Sequence, residues 1–570
     1  MALMPHVVKL ALIILAAALV YLVGIGRVYL FDRDEPRNAL AAREMLQSGD
    51  WVVPRLLDEV RTAKPPLTYW CQATAMWLIG DDTGGPGDTA AARLPSIVAM
   101  TLTLVLLGVV LTRFADRERA FWTVLILATS GIVIGFLAKG SMHDALLVLW
   151  VTIAQLCLYA ILRGRGRWLV VITMSIAIGL AGLTKGPVVI GVMGMTLLLW
   201  WLLTWWSNTH GRDARVTGDA DGNTGVRRVR VTAALLKLVA ATVIVAAVVG
   251  PWVWLVERRS PGFLFTSVSH DVVRRTFEPL EQHKGPPGYY LLTVWATYFP
   301  WSVFLPLTFV VAWRHRDEPA VRFALAAVVG PWLMFELVQT KLPHYLLPTF
   351  PALAFLTADA ITRCLRGEHG DLGTRGTRGA IVAWGVIVIA LGVAPWVVPV
   401  KLDQPLINAM LAFTIVAGVY ATGVVCGFLA KRPRVGLVAM GVGMFPAMTI
   451  LWGLYLPHAP FLRLSGDLAQ ILKHNGAGPR ETRPGDILMI GYKEPSVAFH
   501  QGGTVREQRD NDFLARTPPS QWPRFLLIRD DAWQATPAEV REQFDVLGSV
   551  RSVAYAARGK AWTVWVLRKK

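Results

Sequence analysis

Long apolar runs separated by short polar segments dominate residues 1–456. A helix that crosses a bilayer needs about 17–25 predominantly apolar residues. Thirteen runs approach or reach that length, at roughly 8–30, 95–112, 120–138, 144–162, 168–184, 187–206, 232–256, 289–313, 320–339, 345–362, 380–399, 406–429 and 435–456. The pattern predicts a mainly α, polytopic membrane helix bundle of about thirteen transmembrane helices. The run at 168–184 is short and contains two glycines, so it is the weakest of the set.

The pattern changes after residue 456, where the chain becomes more polar and its apolar runs shorten. Short runs typical of strands occur at "DILMIGY", "RFLLIRD", "SVAYAA" and "AWTVWVL". The stretch "TPAEVREQFDVL" at 536–547 has a helical spacing of apolar residues. Residues 457–570 are therefore predicted to form a small extramembrane α/β domain.

Composition agrees with a membrane protein, because 54% of the residues are hydrophobic, only 17% are charged and 23 are Trp. The net charge of +18 does not indicate nucleic-acid binding, since the basic residues concentrate in alternate short loops. These loops are "RFADRER", "RGRGR", 207–231, 314–319, 363–379 and "KRPR". Such loops face the cytoplasm in multi-pass proteins. We therefore expect an inner-membrane protein with a cytoplasmic N-terminus and a periplasmic C-terminal domain.

Two outer loops, 31–94 and 257–288, remain on the opposite side. The first loop begins with the charged stretch "FDRDEPR", directly after the first apolar run. Pro36 suits the first position of a helix, and Asp34 or Glu35 can accept hydrogen bonds from its free amides. The following "RNALAAREMLQSGDW" predicts a helix along the membrane surface. A capped interfacial helix is one interpretation of this stretch, and a catalytic site is the other.

The outer turns should be poor in Lys, yet several keep one. These residues are Lys64, Lys139, Lys185 and Lys341. A single such lysine usually extends its ammonium group to the membrane interface. Together with Arg37 they indicate a pocket for a lipid phosphate at headgroup depth.

Two carboxylates accompany these basic residues. Asp144 opens an apolar run, where an ionisable side chain is a functional candidate. Asp34 stays ionised among cations, so it can act as a base or as electrostatic support for a developing positive charge.

Seven motifs in order resemble one family. They are "FDRDEPRNALAAREMLQSGDWVVPRLL", "KPPLTYW", "ARLPS", "GLTKGP", "FPWS", "KLPHYLLPTFPALA" and "GYKEPSVAFH". They resemble the aminoarabinose transferase branch of the GT-C membrane glycosyltransferases, which is related to the protein O-mannosyltransferases. The resemblance implies about thirteen membrane helices and an outer C-terminal domain. It also implies transfer of a sugar from a polyprenyl-phosphate donor to a lipid (lipid A-like) or protein acceptor, usually with inversion.

The resemblance also implies roles for individual residues. Asp34 and Asp144 correspond to the two carboxylates of the family, and Arg37 and Lys64 to its contacts with the donor phosphate. Lys139 stands where an Arg is expected. Lys185 and Lys341 would support the departing phosphate.

A metal is the least defined part of this prediction. The family usually has a metal-linked Glu before Lys64, whereas this chain has Ala63. That difference leaves open whether the protein binds a divalent metal ion. His283, in "EQHKGPPGYY", and His344 are candidates for an acceptor or metal contact, although outer histidines, His270 among them, usually serve as interfacial hydrogen-bonding residues.

Two other classes of function compete with the transferase. A transporter or flippase of a lipid-linked saccharide would also need outer cations, but its ionisable residues would lie nearer the middle of the membrane. A structural role that retains the fold is the third alternative. The transferase is favoured because the charged residues lie at one face.

Overall fold

The computed structural model describes residues 4–570 except 32, 211–223, 270–273, 275–284, 371, 373, 402–404 and 555–559. Helices dominate residues 4–456. In chain order they are α1 (His6–Leu22), α2 (Asp34–Ser48), α3 (Leu67–Ile79), α4 (Pro86–Phe114), α5 (Arg117–Thr129), α6 (Asp144–Ala160), α7 (Trp168–Lys185), α8 (Val188–His210), α9 (Thr224–Arg259), α10 (Phe263–Val268), α11 (Tyr289–Thr297), α12 (Leu305–Arg314), α13 (Pro319–Leu337), α14 (Phe350–Leu365), α15 (Arg375–Lys401), α16 (Ala409–Leu429), α17 (Pro433–Val442) and α18 (Met444–Ile450).

Ten helical segments of the described chain are long and apolar enough to cross a membrane. The other three predicted runs form shorter or interrupted helices, at α1, at α5 and at α11–α12. The weakest predicted run, 168–184, forms the 18-residue helix α7. The prediction of a mainly helical, polytopic membrane protein is confirmed.

Arg-rich loops meet at one end of the bundle. Arg366 and Arg434 both contact Glu118, at 3.2 Å in each case. Arg363 binds Glu318 at 2.6 Å and Asp359 at 2.9 Å. These pairs join the loops that follow α4, α12, α14 and α16, so four of the six basic loops predicted to share one side lie together.

The first outer loop contains α2, a short hairpin and α3. The hairpin strands are β1 (Arg55–Leu56) and β2 (Glu59–Val60). The prediction that α2 lies along the membrane surface stays a prediction, but the helix is covered by protein, because its residues from Glu35 to Met45 are buried apart from a half-buried Arg37. Its charged side chains find partners there: Arg43 binds Asp88 at 2.5 Å, and Glu44 accepts the amide of Leu57 at 2.7 Å.

The C-terminal part contains α19 (Leu464–His474), α20 (Pro495–Gln501), α21 (Phe513–Arg516), α22 (Asp530–Ala535) and α23 (Ala538–Arg541). Its strands are β3 (Ile487–Ile490), β4 (Val505–Gln508), β5 (Phe525–Arg529), β6 (Phe544–Val553) and β7 (Ala561–Lys569). They form one sheet in the order β4-β3-β5-β7-β6, in which β3 is parallel to β4 and β5, and β7 is antiparallel to β5 and β6.

The predicted helix at 536–547 is wrong over its second half. Only Ala538–Arg541 is helical, and β6 begins at Phe544. The alternation of the following residues suits pairing with β7, and Phe544 faces Lys569 in that ladder. Strand β4 was not predicted.

The C-terminal sheet shares a hydrophobic core with the first outer loop. Buried side chains of α2 and α3, such as Leu40 and Tyr69, belong to the same cluster as Ile487 and Phe499. The guanidinium of Arg43 donates to the carbonyl of Phe499 at 3.0 Å and lies 4.4 Å from the centre of its ring. The C-terminal part therefore covers the helix that begins with Asp34.

Candidate active site

A buried ion pair fixes the N-terminal end of α2. The guanidinium of Arg93, in α4, donates to both oxygens of Glu35 at 2.7 and 2.9 Å. It also donates to the carbonyls of Ile25 and Val28, both at 2.7 Å. Because Arg93 is fully buried, this pair ties the end of the first span to α2. Glu35 is thus an anchor, and its neighbour Asp34 is held at a defined position.

Cations surround the carboxylate of Asp34. Arg37, one helical turn along α2, lies 3.6 Å from it. Burial alone would raise the pKa of the Asp34 carboxyl, but Arg61, Arg37 and Lys64 together hold that pKa below its usual value. An aspartate in this setting remains ionised at neutral pH. Its side chain is 46% exposed, so it is accessible to a substrate.

A second carboxylate lies at the first residue of α6. Asp144 accepts a hydrogen bond from Lys185, the last residue of α7, at 2.6 Å. Both side chains are largely buried, with exposed fractions of 3% and 13%. His344 links the group around Asp34 to the Asp144–Lys185 pair. It interacts electrostatically with Asp144 and Lys185 and also with Asp34 and Lys64.

These contacts define what we call the charged cluster: Asp34, Arg37, Arg61, Lys64, Asp144, Lys185 and His344. Six of its seven members were predicted from the sequence as site residues. The cluster holds two carboxylates, four cations and one imidazole, all at the ends of helices or in the loops between them. Such a set can bind an anion and keep a carboxylate ionised beside it.

Lys139 has partners elsewhere. Its ammonium donates to the carbonyls of Val20 and Val23, both at 2.6 Å, at the C-terminal end of α1. It is fully buried, and this burial, with a smaller effect of Arg93, lowers its pKa to about 7. The structure therefore does not bring Lys139 into the charged cluster but places it where it satisfies free carbonyls of a helix end.

Lys341 also lies apart from the cluster. Its ammonium binds Glu336 at 2.7 Å and the carbonyl of Pro286 at 3.2 Å. Glu336 in turn accepts the amide of Gly288 at 2.7 Å, so the pair connects α13 to the start of α11. Lys341 lines a cavity of about 620 Å³ that also includes Gln339. His270 and His283 lie outside the described residues.

Sequence reasoning missed Arg61, whose charge acts more strongly on Asp34 than that of Arg37 or Lys64. It lies after the β1–β2 hairpin, three residues before Lys64. Its Nε donates to the hydroxyl of Tyr69 at 2.9 Å, and its Nη2 to Asn38 at 3.3 Å. The sequence did contain a signal for Arg61, because it shares the short stretch "RTAK" with Lys64 and is therefore a second basic residue in the same outer turn.

The described part of the chain offers no group of three His, Cys, Asp or Glu side chains able to hold a metal ion. Ala63 supplies no ligand before Lys64. The described residues thus do not fit a metal site.

Comparisons with known proteins show similarity in sequence and in fold to membrane glycosyltransferases. The family model for dolichyl-phosphate-mannose-protein mannosyltransferases matches residues 9–266. The undecaprenyl phosphate-alpha-4-amino-4-deoxy-L-arabinose arabinosyl transferase of Yersinia enterocolitica is 30% identical over 399 residues, which cover 67% of this chain and 65% of that protein. The transferase of the same name from Edwardsiella ictaluri is 30% identical over 416 residues, covering 71% and 68%.

Among solved structures, ArnT from Cupriavidus metallidurans bound to undecaprenyl phosphate superposes with a TM-score of 0.70. The match covers 98% of this chain and 97% of that one at 20% identity. This similarity concerns the fold. The chain spans about 65% of the length of the first curated relatives that it matches.

Proposed function

This chain belongs to the family of the undecaprenyl phosphate-α-4-amino-4-deoxy-L-arabinose arabinosyl transferases, and from that premise we propose that it is a glycosyltransferase. The reaction transfers a glycosyl group from a polyprenyl-phosphate donor to a lipid, such as a lipid A-like molecule, or to a protein. It takes place at the outer face of the cytoplasmic membrane. The curated relatives carry undecaprenyl phosphate in their names, which supports a polyprenyl-phosphate donor.

The observation that carries this proposal is the ionised Asp34 beside Arg37, Arg61 and Lys64. In the proposed step an acceptor oxygen attacks the anomeric carbon, and the bond from that carbon to the phosphate oxygen breaks. The acceptor's proton goes to the Asp34 carboxylate, and the bonding electron pair leaves with the phosphate. A single displacement of this kind inverts the anomeric centre.

The cations stabilise the charge that develops on the departing phosphate. Lys185 is held by Asp144 at 2.6 Å, so its ammonium keeps a fixed position, and His344 interacts electrostatically with both Lys185 and Asp34. Positioning and charge stabilisation then supply most of the reduction in the barrier, because polyprenyl phosphate is already a good leaving group. Lys139 and Lys341 are not included in this phosphate-binding set, since their partners, unlike the Asp144 partner of Lys185, lie outside the charged cluster.

The flippase alternative is not favoured. Asp144 is the first residue of a predicted span and Lys185 the last residue of the next, so both lie at membrane edges. A transporter would hold its substrate-binding charges near the middle of the membrane. The relatives' names also describe transferases.

The proposed orientation places the N-terminus in the cytoplasm of an inner-membrane protein and residues 457–570 in the periplasm. The clustering of the basic loops through Glu118 and Glu318 supports it, because such loops face the cytoplasm. The charged cluster then opens outward. A division into a membrane domain, 1–456, and a C-terminal domain, 457–570, remains part of this proposal.

The test is transfer by the purified full-length protein from a panel of radiolabelled polyprenyl-phosphate sugars to extracted lipid and protein acceptors. Wild type should label one acceptor class with at least one donor, and Asp34→Asn should not. Asp317→Asn, at the other end of the bundle, is the matched control and should behave as wild type. Absence of transfer with every donor, or full activity of Asp34→Asn, would overturn the proposal.

A further inference from the structure

A buried imidazole nitrogen of His143, next to Asp144 of the charged cluster, has no role in the interactions described above. Among the described residues, Nε2 of His143 is completely buried and has no hydrogen-bond partner. The whole residue is 3% exposed. A buried polar atom without a partner costs free energy, and native structures rarely retain one without a reason. A ligand that supplies the missing partner is such a reason.

The position of His143 points to the charged cluster. It immediately precedes Asp144, which binds Lys185 at 2.6 Å. On the other side, its ring packs edge-on against Tyr69, with the ring centres 5.3 Å apart. Tyr69 in turn accepts a hydrogen bond from Arg61 at 2.9 Å. His143 is therefore next in the chain to the Asp144–Lys185 pair and packs against the tyrosine that binds Arg61, one of the cations near Asp34.

The charges around the imidazole of His143 determine which kind of ligand can form a hydrogen bond with it. Burial, together with Lys64, Arg61 and Lys185, lowers the pKa of His143 well below its usual value, and the opposing effect of Asp144 is smaller. The ring is thus neutral at physiological pH. Three cations in its surroundings attract an anion rather than another cation. An anionic oxygen only accepts hydrogen bonds, so a neutral imidazole meets it through an N–H group.

We propose that Nε2–H of His143 donates a hydrogen bond to a phosphoryl oxygen of the polyprenyl phosphate. This inference rests on the proposed function for the identity of the anion. His143 adds a neutral donor to a ring of cations. It fixes the direction of the phosphate without adding another positive charge to a site that already holds four.

Binding of undecaprenyl phosphate to the purified full-length protein tests this inference without requiring turnover. His143→Ala should weaken binding roughly 10- to 100-fold, as expected for loss of one hydrogen bond to a charged group. His143→Gln places an amide N–H near the former Nε2 and should restore most of the affinity. His143→Asn reaches only the Nδ1 position and should remain weak. His6→Ala is the matched control, because His6 bonds Thr112 at 3.1 Å, far from the cluster.

Three results would overturn the inference. One is wild-type affinity in His143→Ala. Another is binding by His143→Gln as weak as by His143→Ala, with both variants lower in melting temperature, because this indicates a packing role. The third is an unchanged affinity for undecaprenyl phosphate with a raised KM for the sugar donor, because this places the contact on the sugar. A wild-type protein that binds undecaprenyl phosphate but transfers no sugar would refute the proposed function and leave this inference standing.

Discussion

Glu35 and Arg93 are paired through two buried hydrogen bonds, although 58 positions separate them in the sequence. The first residue belongs to the "DEPR" stretch and the second to "ARLPS", so two of the motifs that identify the family meet at one contact. Ser141, beyond the third predicted span, also donates its amide to Glu35 at 3.0 Å. The carboxylate next to the proposed base is therefore a structural element that joins three segments of the chain.

Breaking this pair should destabilise the protein strongly. Glu35→Ala leaves the buried guanidinium of Arg93 without its counter-charge, which typically costs about 3–5 kcal/mol. The measurement is the free energy of unfolding of the detergent-purified variant. Replacing both residues with apolar side chains of similar volume should recover part of the loss. A cost below about 1 kcal/mol for Glu35→Ala, the range of an exposed pair, would contradict this assignment.

Asp34→Asn should abolish transfer and leave the fold intact. The amide keeps the shape of the side chain but cannot take the acceptor's proton, and general-base catalysis typically contributes about 10²–10⁴-fold in rate. The rate constant for transfer and the melting temperature, measured on the same preparation, separate catalysis from folding. Retained turnover would favour a capping role, because Asn caps helices about as well as Asp.

Lys64 and Lys185 should contribute to phosphate binding, whereas Lys341 should not. Lys64→Ala and Lys185→Ala each remove a cation of the charged cluster, so affinity for undecaprenyl phosphate should fall roughly 10- to 100-fold. Because both would contact one phosphate, their effects should not add. Lys341→Ala breaks the pair with Glu336 and should lower stability with unchanged affinity. An equal loss of affinity in all three variants would show that Lys341 belongs to the phosphate site.

The basic loops should face the cytoplasm. A cytoplasmic reporter fused after Arg230 and an exported reporter fused after Lys570 should both be active. The physical reason is that Arg-rich loops are retained on the cytoplasmic side. The reciprocal pair of fusions serves as the control and should be silent. The opposite pattern would move the charged cluster to the inner face and exclude the proposed reaction site.

His500 should make the docking of the C-terminal part sensitive to acid. The amide of Leu30 donates to its Nε2, and its Nδ1 lies 3.2 Å from the carbonyl of Gly84, so the ring is held neutral. Burial lowers the pKa of His500 to about 3, from 6.5 in the unfolded chain. Its contribution to stability is therefore complete above pH 6.5 and is lost progressively as the pH falls toward 3.

Thermal unfolding at pH 7 and pH 5 checks this prediction. Wild type should lose up to about 2 kcal/mol more than His500→Gln between these values, since one pKa unit corresponds to about 1.4 kcal/mol. His474→Gln is the control, because its ring is exposed and bonds the carbonyl of Gln470 at 2.8 Å. Parallel acid sensitivity of wild type and His500→Gln would show that other groups dominate.

Periodicity and charge were enough to predict the membrane bundle and most of the cluster. Apolar run length follows from bilayer thickness, and a basic residue in an outer turn contradicts the positive-inside pattern, so Lys64 and Lys185 stood out. Lys139 and Lys341 stood out for the same reason but have structural partners. The sequence could not distinguish these cases, because the contact of Lys139 with Val23 spans 116 positions and an acid five positions before Lys341 does not by itself show that the two side chains pair.

The environment of α2 was also beyond sequence reasoning. Its alternating charges are typical of a helix at the membrane surface, yet Arg43 and Glu44 are buried in ion pairs and hydrogen bonds with distant segments. The local sequence pattern shows which positions are polar, but it does not show which distant segments of the chain cover them. Strand β6 shows the same limit, since pairing with β7 outweighed the helical spacing of "EQFDVL".

The shared core between α2, α3 and the C-terminal sheet has a consequence for engineering this protein. A chimera cut at the membrane boundary near residue 456 would pair a foreign sheet with the native first loop and mismatch the contact of Arg43 with Phe499. It would also separate Arg506 and Arg509 from their partners Asp58 and Glu59 in the hairpin. A functional exchange between relatives must therefore transplant the first loop and the C-terminal part together, as one cassette from two distant stretches of sequence.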